Sequence, residues 1–480
     1  MSGGPRVSFG TRLAYGTGAI AYGVKNNGFD YFLLIFYSQV LGIDAALVGM
    51  ALLIALLFDA VSDPVVGYLS DNTHSRFGRR HPWMYVSALP VAVLYFMLWS
   101  PPASLTGNAL LPYLLVVAIM IRLCITMYEV PSSALAAELT DDYDERTSLL
   151  SYRYFFGWLG GTIMAAVTLA VFLVPTETIP NGFLNKPGYA TYGTVAALVI
   201  MLSILVTAVG THRQIPKLKR PPPKAPLKPG RIFREIKETL ANQSFLSLFL
   251  ASLLGAMATG LSAGLSFYIN GYFWNFSNDQ IAGLSVSIIL SAFMALMIAP
   301  FISRKLGKKR GAIIVGIIAF TTAPAPVALR LLGVMPENGD PLLYPIILVT
   351  TVIDLALIIS TQILMQSMVA DLVEDGEIRT TRRSEGVFFA AVTFTRKSVQ
   401  GFGVLAASLV LATIQFPKGV PPDQVPPETL FRLGALYAPT LFAIWMLMIA
   451  CLRLYRIDRT RHEDNLRTLT ERVGEGPSGT

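Results

Sequence analysis

Apolar runs long enough to cross a bilayer recur from Leu13 to Leu454, and a run of roughly 20 such residues is accommodated as a membrane-spanning helix. They cover 13–41, 45–70, 84–99, 109–137, 149–174, 189–209, 245–270, 281–302, 312–332, 342–369, 386–414 and 429–454, about twelve helices in all. With 53% hydrophobic and 14% charged residues and a mean hydropathy of +0.55, the chain is too apolar for an ordinary soluble protein. The fold class this predicts is all-α and integral to a membrane.

Charge then orients the spans. One set of alternate loops carries Arg76, Arg79 and Arg80, then Arg146, then Arg213 to Arg220, then Arg304 to Arg310, then Arg379, Arg382 and Arg383, while the other set is nearly bare of cations. By the positive-inside rule the first set is cytoplasmic, which places both termini inside and the protein in an inner (plasma) membrane. Arg6 and Arg12 precede the first run with no small-residue cleavage site, so this segment is expected to anchor the first helix. Trp99, Tyr272 and Trp274 fall at the outer interface, where an aromatic belt is expected. The net charge of +8 resides in these short loops, so nucleic acid is not an expected partner. Cys124 and Cys451 lie far apart inside apolar runs and suggest neither a disulfide framework nor a metal site.

A basic, proline-punctuated stretch divides the spans six and six. The expected organisation is a six-helix bundle over 1–212, a cytoplasmic linker over 213–240, a second six-helix bundle over 241–455 and a cytoplasmic tail over 456–480. A duplication signal sits at equivalent places: Ala137-Glu138-Leu139-Thr140-Asp141-Asp142-Tyr143-Asp144-Glu145-Arg146 matches Ala370-Asp371-Leu372-Val373-Glu374-Asp375-Gly376-Glu377-Ile378-Arg379. Parallel repeats of this kind build major-facilitator transporters.

The second run contains Asp59 and Asp63, and a carboxylate at membrane depth normally faces a cavity, a partner charge or a bound cation. Their spacing of four stacks them on one helix face with Ser62 beside them, a set of hard oxygens that Na⁺ can occupy or a proton can neutralise. Locking by Lys or Arg from other helices accounts for the same residues. The fourth run places Arg122, Thr126 and Glu129 on one stripe facing a cavity. Glu129 can accept bonds from the hydroxyls of a solute or pair with an arginine. Where the second run ends, Asp71 leads into Arg76-Phe77-Gly78-Arg79-Arg80 and can pair with Arg79 or Arg80.

On Leu13-Ala14-Tyr15-Gly16-x-Gly18-Ala19, Asp59-Ala60-x-x-Asp63-Pro64, Glu129-Val130-Pro131, Met368-Val369-Ala370-Asp371 and Lys397, the chain resembles the glycoside-pentoside-hexuronide:cation symporters, the melibiose permease-like branch of the major facilitator superfamily. The resemblance implies that Asp59 and Asp63 hold the coupling cation with help from Thr126, that Glu129 binds substrate, and that Lys397 reaches towards the cation carboxylates. It also marks departures. The family's first-helix aspartate falls on Gly23, with Lys25, Asn26, Asn27 and Asp30 nearby; its sugar-stacking tryptophan falls on Ser133; its substrate arginine falls on Tyr154, beside Arg153. Lys25, Asp30, Arg122, Glu129, Arg153 and Lys397 are therefore the substrate-site candidates, and Lys25, Arg122 and Arg153 would suit an acidic solute such as a uronide.

The function expected is cation-coupled symport, with Na⁺ or H⁺, of a small polar solute (sugar, glycoside or uronide) by alternating access in a monomer surrounded by lipid. No cofactor is expected beyond the coupling ion. Sodium-dependent lysophospholipid symporters share the fold, which makes an amphiphile the alternative cargo; a sensor that binds without transporting is the alternative of another class. No nucleophile–base pair, Walker loop or metal cluster points to an enzyme. Gating is expected from Asp71, Arg79, Arg80, Asp142, Arg146, Asp375 and Arg379, as mixed-charge loops closing the inner mouth. Asp354, Gln362 and Gln366 fit a cavity lining, and Asp354 fits an outer, hydrated position equally well.

Overall fold

A computed structural model describes residues 7–140, 143–177, 179, 181–218, 243–380 and 401–455; at 60, 108, 137, 143, 144, 146, 147, 217, 366 and 369–380 only the backbone is described. All regular structure among them is helical. Among the described residues, ten helices are long and apolar enough to cross a membrane. The first expected span is instead built from pieces: α1 (Phe9–Thr17), α2 (Ala19–Asn27), a π turn (Gly28–Phe32), α3 (Leu33–Ile35) and a second π turn (Phe36–Val40). The run expected over 386–414 is described from Gly401, as a short apolar helix.

After these come α4 (Ala45–Asp71), α5 (His81–Trp99), α6 (Leu110–Leu139), α7 (Tyr143–Val167) and α8 (Lys186–His212). The later part holds α9 (Gln243–Phe267), α10 (Asn278–Leu306), α11 (Lys308–Thr322), α12 (Ala325–Leu331), α13 (Leu343–Thr380), α14 (Gly401–Thr413) and α15 (Pro427–Arg453). Local chemistry sets several starts. Asp44 caps α4 by accepting from the Ala46 amide at 2.9 Å, and Asn185 caps α8 through the Gly188 amide at 3.1 Å, with Pro187 in its first turn. Pro64, Pro90 and Pro131 lie within α4, α5 and α6, which hydrocarbon-buried helices tolerate because neighbours satisfy the freed carbonyls.

The chain divides into two compact units. The first comprises Met1–Pro226, Ala263–Val286 and Val404–Leu430, and the second Leu227–Ser262, Ser287–Gly403 and Phe431–Thr480. In the first unit α4 packs on α6, α5 packs on α6 and α8, and α1 and α2 pack on α7 and α8. Gly23 sets how close α2 approaches α7: a Cβ there would lie 1.9 Å from the Gly157 carbonyl oxygen. At the end remote from the basic loops, residues 263–286 and 404–430 cap this bundle. Phe267 packs 4.9 Å from Phe32, Trp99 stacks on Tyr189 at 5.9 Å, and Phe416 lies edge-on to both Tyr268 and Tyr272. The Ser38 and Tyr268 hydroxyls are 2.7 Å apart, and the Gly419 amide donates to Gln39 Oε1 at 3.1 Å.

This cap corrects the expectation of an aromatic belt. Trp99, Tyr272 and Trp274 are 1%, 1% and 3% exposed, so they face protein and cannot lie against lipid headgroups. In the second unit α11 packs on α13, Phe320 stacks on Trp445 at 4.6 Å, and Ser291 donates to the Val352 carbonyl at 3.0 Å. Asp354 of α13 is buried there and accepts from Thr322 of α11, which removes the hydrated outer position as an explanation of it.

Candidate functional site

Two adjacent helices of the first unit, α4 and α6, supply the cluster of charges. Asp59 and Asp63 share a face of α4 one turn apart, and Arg122, Thr126 and Glu129 follow one another along α6. Asp59, Arg122 and Thr126 are buried, and Asp63 and Glu129 are half-buried. The Thr126 hydroxyl lies 2.8 Å from Asp59 Oδ1 and 2.9 Å from Asp63 Oδ1, so one side chain bridges both carboxyl groups. Arg122 Nη1 donates to Asp59 Oδ2 at 3.2 Å. Ser62, placed beside the carboxylates by its spacing, turns its hydroxyl onto the Asp59 carbonyl at 3.1 Å.

The first span closes one side. Lys25 is buried near the end of α2, with Nζ 5.2 Å from the Tyr22 ring centre and 5.8 Å from that of Phe29. The Arg122 guanidinium lies 5.0 Å from the same Phe29 ring, so one aromatic ring from the first π turn stands beside cations of two helices. Asp30, next in that turn, is half-buried. Arg153 of α7 donates to Ser132 Oγ at 2.9 Å and to the Glu129 carbonyl at 3.5 Å, which ties α7 to α6 beside Glu129. Its guanidinium lies 6.0 Å from the Tyr15 ring. Lys397 lies outside the described residues.

The departures from the resemblance have a physical basis at Gly23, where α2 and α7 meet backbone to backbone and leave no volume for a carboxylate. Ser133 and Tyr154, the positions of the family's tryptophan and arginine, are both exposed, Ser133 donating to the Val130 carbonyl at 2.9 Å.

At the basic end the charges organise around a residue that the sequence did not single out. Glu138 accepts from Arg79 at 2.7 Å and from Arg80 at 2.9 Å, while Arg80 also pairs with Asp71 and donates to Ser70 Oγ at 3.0 Å. Of the two arginines expected for Asp71, Arg80 is the one it meets. A second knot joins Glu145 to Arg12 at 2.9 Å, to the Val7 amide at 2.6 Å and to Thr140 at 2.8 Å. Glu138 and Glu145 both belong to the duplicated motif, which was the signal available for finding them. Asp142 lies outside the described residues, as do the side chains of Arg146, Asp375 and Arg379.

The arrangement offers paired carboxyl groups, a bridging hydroxyl and cationic side chains within the membrane-spanning part of one bundle, the chemistry of an ion-linked binding site. Comparison with known proteins agrees with it. Residues 14–459 match the family described as MFS/sugar transport protein. The inner membrane symporter YicJ of Escherichia coli is 24% identical, covering 97% of this chain and 95% of that one. The isoprimeverose transporter of Lactiplantibacillus pentosus is 23% identical over 85% and 80% of the two chains, and the sodium-dependent lysophosphatidylcholine symporter 1 of Gallus gallus 24% identical over 99% and 92%. In fold, the chain is similar to a D-xylose-proton symporter crystal structure at a TM-score of 0.61 and 14% identity, over 91% and 97% of the chains.

Proposed function

The chain belongs to the MFS/sugar transport protein family, the melibiose permease-like cation symporters, and from that premise we propose that it carries a sugar or glycoside across a membrane together with Na⁺ or H⁺. It is a multi-pass membrane transporter and not an enzyme. The observation that carries the mechanistic reading is the bridging of Asp59 and Asp63 by one Thr126 hydroxyl, in a site whose charges are too buried to be maintained without a function or a full set of partners. In this reading Asp59, Asp63 and Thr126 take the coupling ion. Glu129, Lys25 and Asp30 take the solute, with Arg153 positioning Glu129. The monomer works by alternating access of two six-helix bundles in an inner membrane, with both termini and the basic loops in the cytoplasm. On the family resemblance, Lys397 serves the coupling ion, and Asp71, Arg79, Arg80, Asp142, Arg146, Asp375 and Arg379 serve as gating residues.

Uptake of radiolabelled glycosides, xylosides and uronides into proteoliposomes, under an imposed Na⁺ or pH gradient, tests the proposal. Asp59→Asn and Asp63→Asn should each abolish gradient-driven accumulation while leaving counterflow exchange of the same solute measurable. Concentrative uptake by the double variant would refute the ion assignment. The lysophosphatidylcholine symporter relative supports lysolipid as a second cargo, and the same vesicles with labelled lysolipid decide between them.

A further inference from the structure

We propose that the elbow joining α10 to α11 is a docking site for the headgroup of an anionic phospholipid, with Arg304, Lys305 and Arg310 facing the phosphodiester and Phe301 and Leu306 meeting the acyl chains. The proposal stands on the membrane-spanning architecture and does not depend on which solute or ion is carried.

The elbow reads Phe301-Ile302-Ser303-Arg304-Lys305-Leu306-Gly307-Lys308-Lys309-Arg310. Five of the seven residues from Arg304 to Arg310 are cations, while residues 280–336, the two spans and the turn between them, contain no Asp or Glu. Positive charge at the membrane end of a span is ordinary topology. Its placement on α11 is not. Arg304 and Lys305 close α10, where the negative end of the helix dipole favours them. Lys308, Lys309 and Arg310 open α11, where the dipole is positive and neither an acidic residue of the first turn nor a side-chain cap offsets them.

The corresponding elbow of the first unit shows how such a turn is neutralised from within. Arg76-Phe77-Gly78-Arg79-Arg80 turns on Gly78 at φ +73°, as the second elbow turns on Gly307 at φ +75°. There Arg79 and Arg80 reach Glu138, and Arg80 also reaches Asp71. Asp71 stands seven residues before Gly78, and the residue seven before Gly307 is Pro300. Arg304, Lys305 and Arg310 are exposed and meet no carboxylate among the described residues. Lys309 is used differently: its Nζ donates to the Arg453 carbonyl at 2.9 Å and to that of Tyr455, tying the elbow to the end of α15.

The apolar neighbours decide which anion fits. Phe301 and Leu306 are 55% and 39% exposed on this elbow, and Lys305 Nζ lies 4.6 Å from the Phe301 ring centre, so cation and apolar surface are adjacent. Free phosphate or a soluble polyanion would neutralise the cations and leave both apolar side chains in water. A phospholipid covers the two kinds of surface together. Each basic side chain at an anionic membrane surface is worth roughly fivefold in affinity, so a cluster of three is enough to select a charged headgroup over a zwitterionic one.

The test uses purified, delipidated full-length protein in neutral detergent, titrated with phosphatidylglycerol or phosphatidylcholine while thermal unfolding is followed. Inorganic phosphate at matched ionic strength serves as the headgroup-only probe. Phosphatidylglycerol should raise the unfolding midpoint saturably, and phosphatidylcholine and phosphate should not. The triple variant Arg304→Gln, Lys305→Gln, Arg310→Gln should need at least about tenfold more phosphatidylglycerol for half of the shift. Lys217→Gln, Lys219→Gln, Arg220→Gln, which removes the same charge from the linker, should titrate as the wild type does. A triple variant that titrates like the wild type would overturn the proposal, as would an equal response to phosphatidylcholine, a shift produced by phosphate alone, or an equal loss in the linker variant. Should the triple variant fail to fold, Arg304→Gln and Arg310→Gln are titrated singly, each with a weakening of about fivefold expected, and no weakening in either overturns the proposal.

Discussion

Thr126 and Glu138 are single side chains that each organise several charges. Thr126→Val keeps the shape and removes the hydroxyl, leaving the Asp59 and Asp63 oxygens without the donor between them. A loss of about 1–3 kcal/mol in unfolding free energy is expected, together with loss of gradient-driven uptake. Glu138→Gln leaves Arg79 and Arg80 around a neutral acceptor. Because the pair is largely buried, a destabilisation of about 3–5 kcal/mol is expected in chemical denaturation, recovered in part by Arg79→Gln in the same chain. At this scale the sequence was readable where spacing along one helix decides the outcome, as in the Asp59–Asp63 stack and the Arg122–Thr126–Glu129 stripe. Where the partner comes from another helix it was readable only in part: Asp71 meets Arg80, one of its two expected arginines, and Thr126 meets the aspartates as the resemblance implied, but other partners were not. Arg122 has the same spacing whether it faces a solute or Asp59, and nothing in the order of residues says that Glu138 draws both arginines.

Among the helices, length and apolarity marked most spans, and the breaks in the first span escaped because no proline marks them and the charges beside the first, Lys25 and Asp30, read as site candidates. The first π turn begins where packing leaves no room for a side chain: a Cβ at Gly28 would lie 2.1 Å from the Tyr95 hydroxyl and 2.6 Å from that of Tyr192. The crossing of α2 and α7 is equally tight. Gly23→Asp, which restores the residue expected from the family, should therefore push these helices apart and lower the unfolding midpoint, with about 1–3 kcal/mol lost even for the smaller Gly23→Ala. A folded, fully active Gly23→Asp protein would show that the two helices do not stay in contact. The aromatic belt was misread for a related reason. Position at the end of a span predicts an interfacial ring, and only the neighbouring segments decide whether that ring meets lipid or protein.

On the scale of the whole chain, segments 263–286 and 404–430 belong with a bundle that precedes both of them in sequence. The aromatic cap they form carries two buried hydroxyls, those of Tyr189 and Tyr272, that find no hydrogen-bond partner among the described residues. Tyr189→Phe and Tyr272→Phe should each favour the capped arrangement, by about 1–3 kcal/mol, or roughly fivefold or more. A Leu34→Cys reporter, buried under the cap, would reveal this as slower thiol labelling in a Cys124→Ala, Cys451→Ala background; faster labelling would contradict it. The two tyrosine hydroxyls set a cost against the apolar gain of the cap. Prising the rings apart would expose apolar surface, but it would also let two thirsty oxygens reach water, so the cap is held by less than its rings suggest.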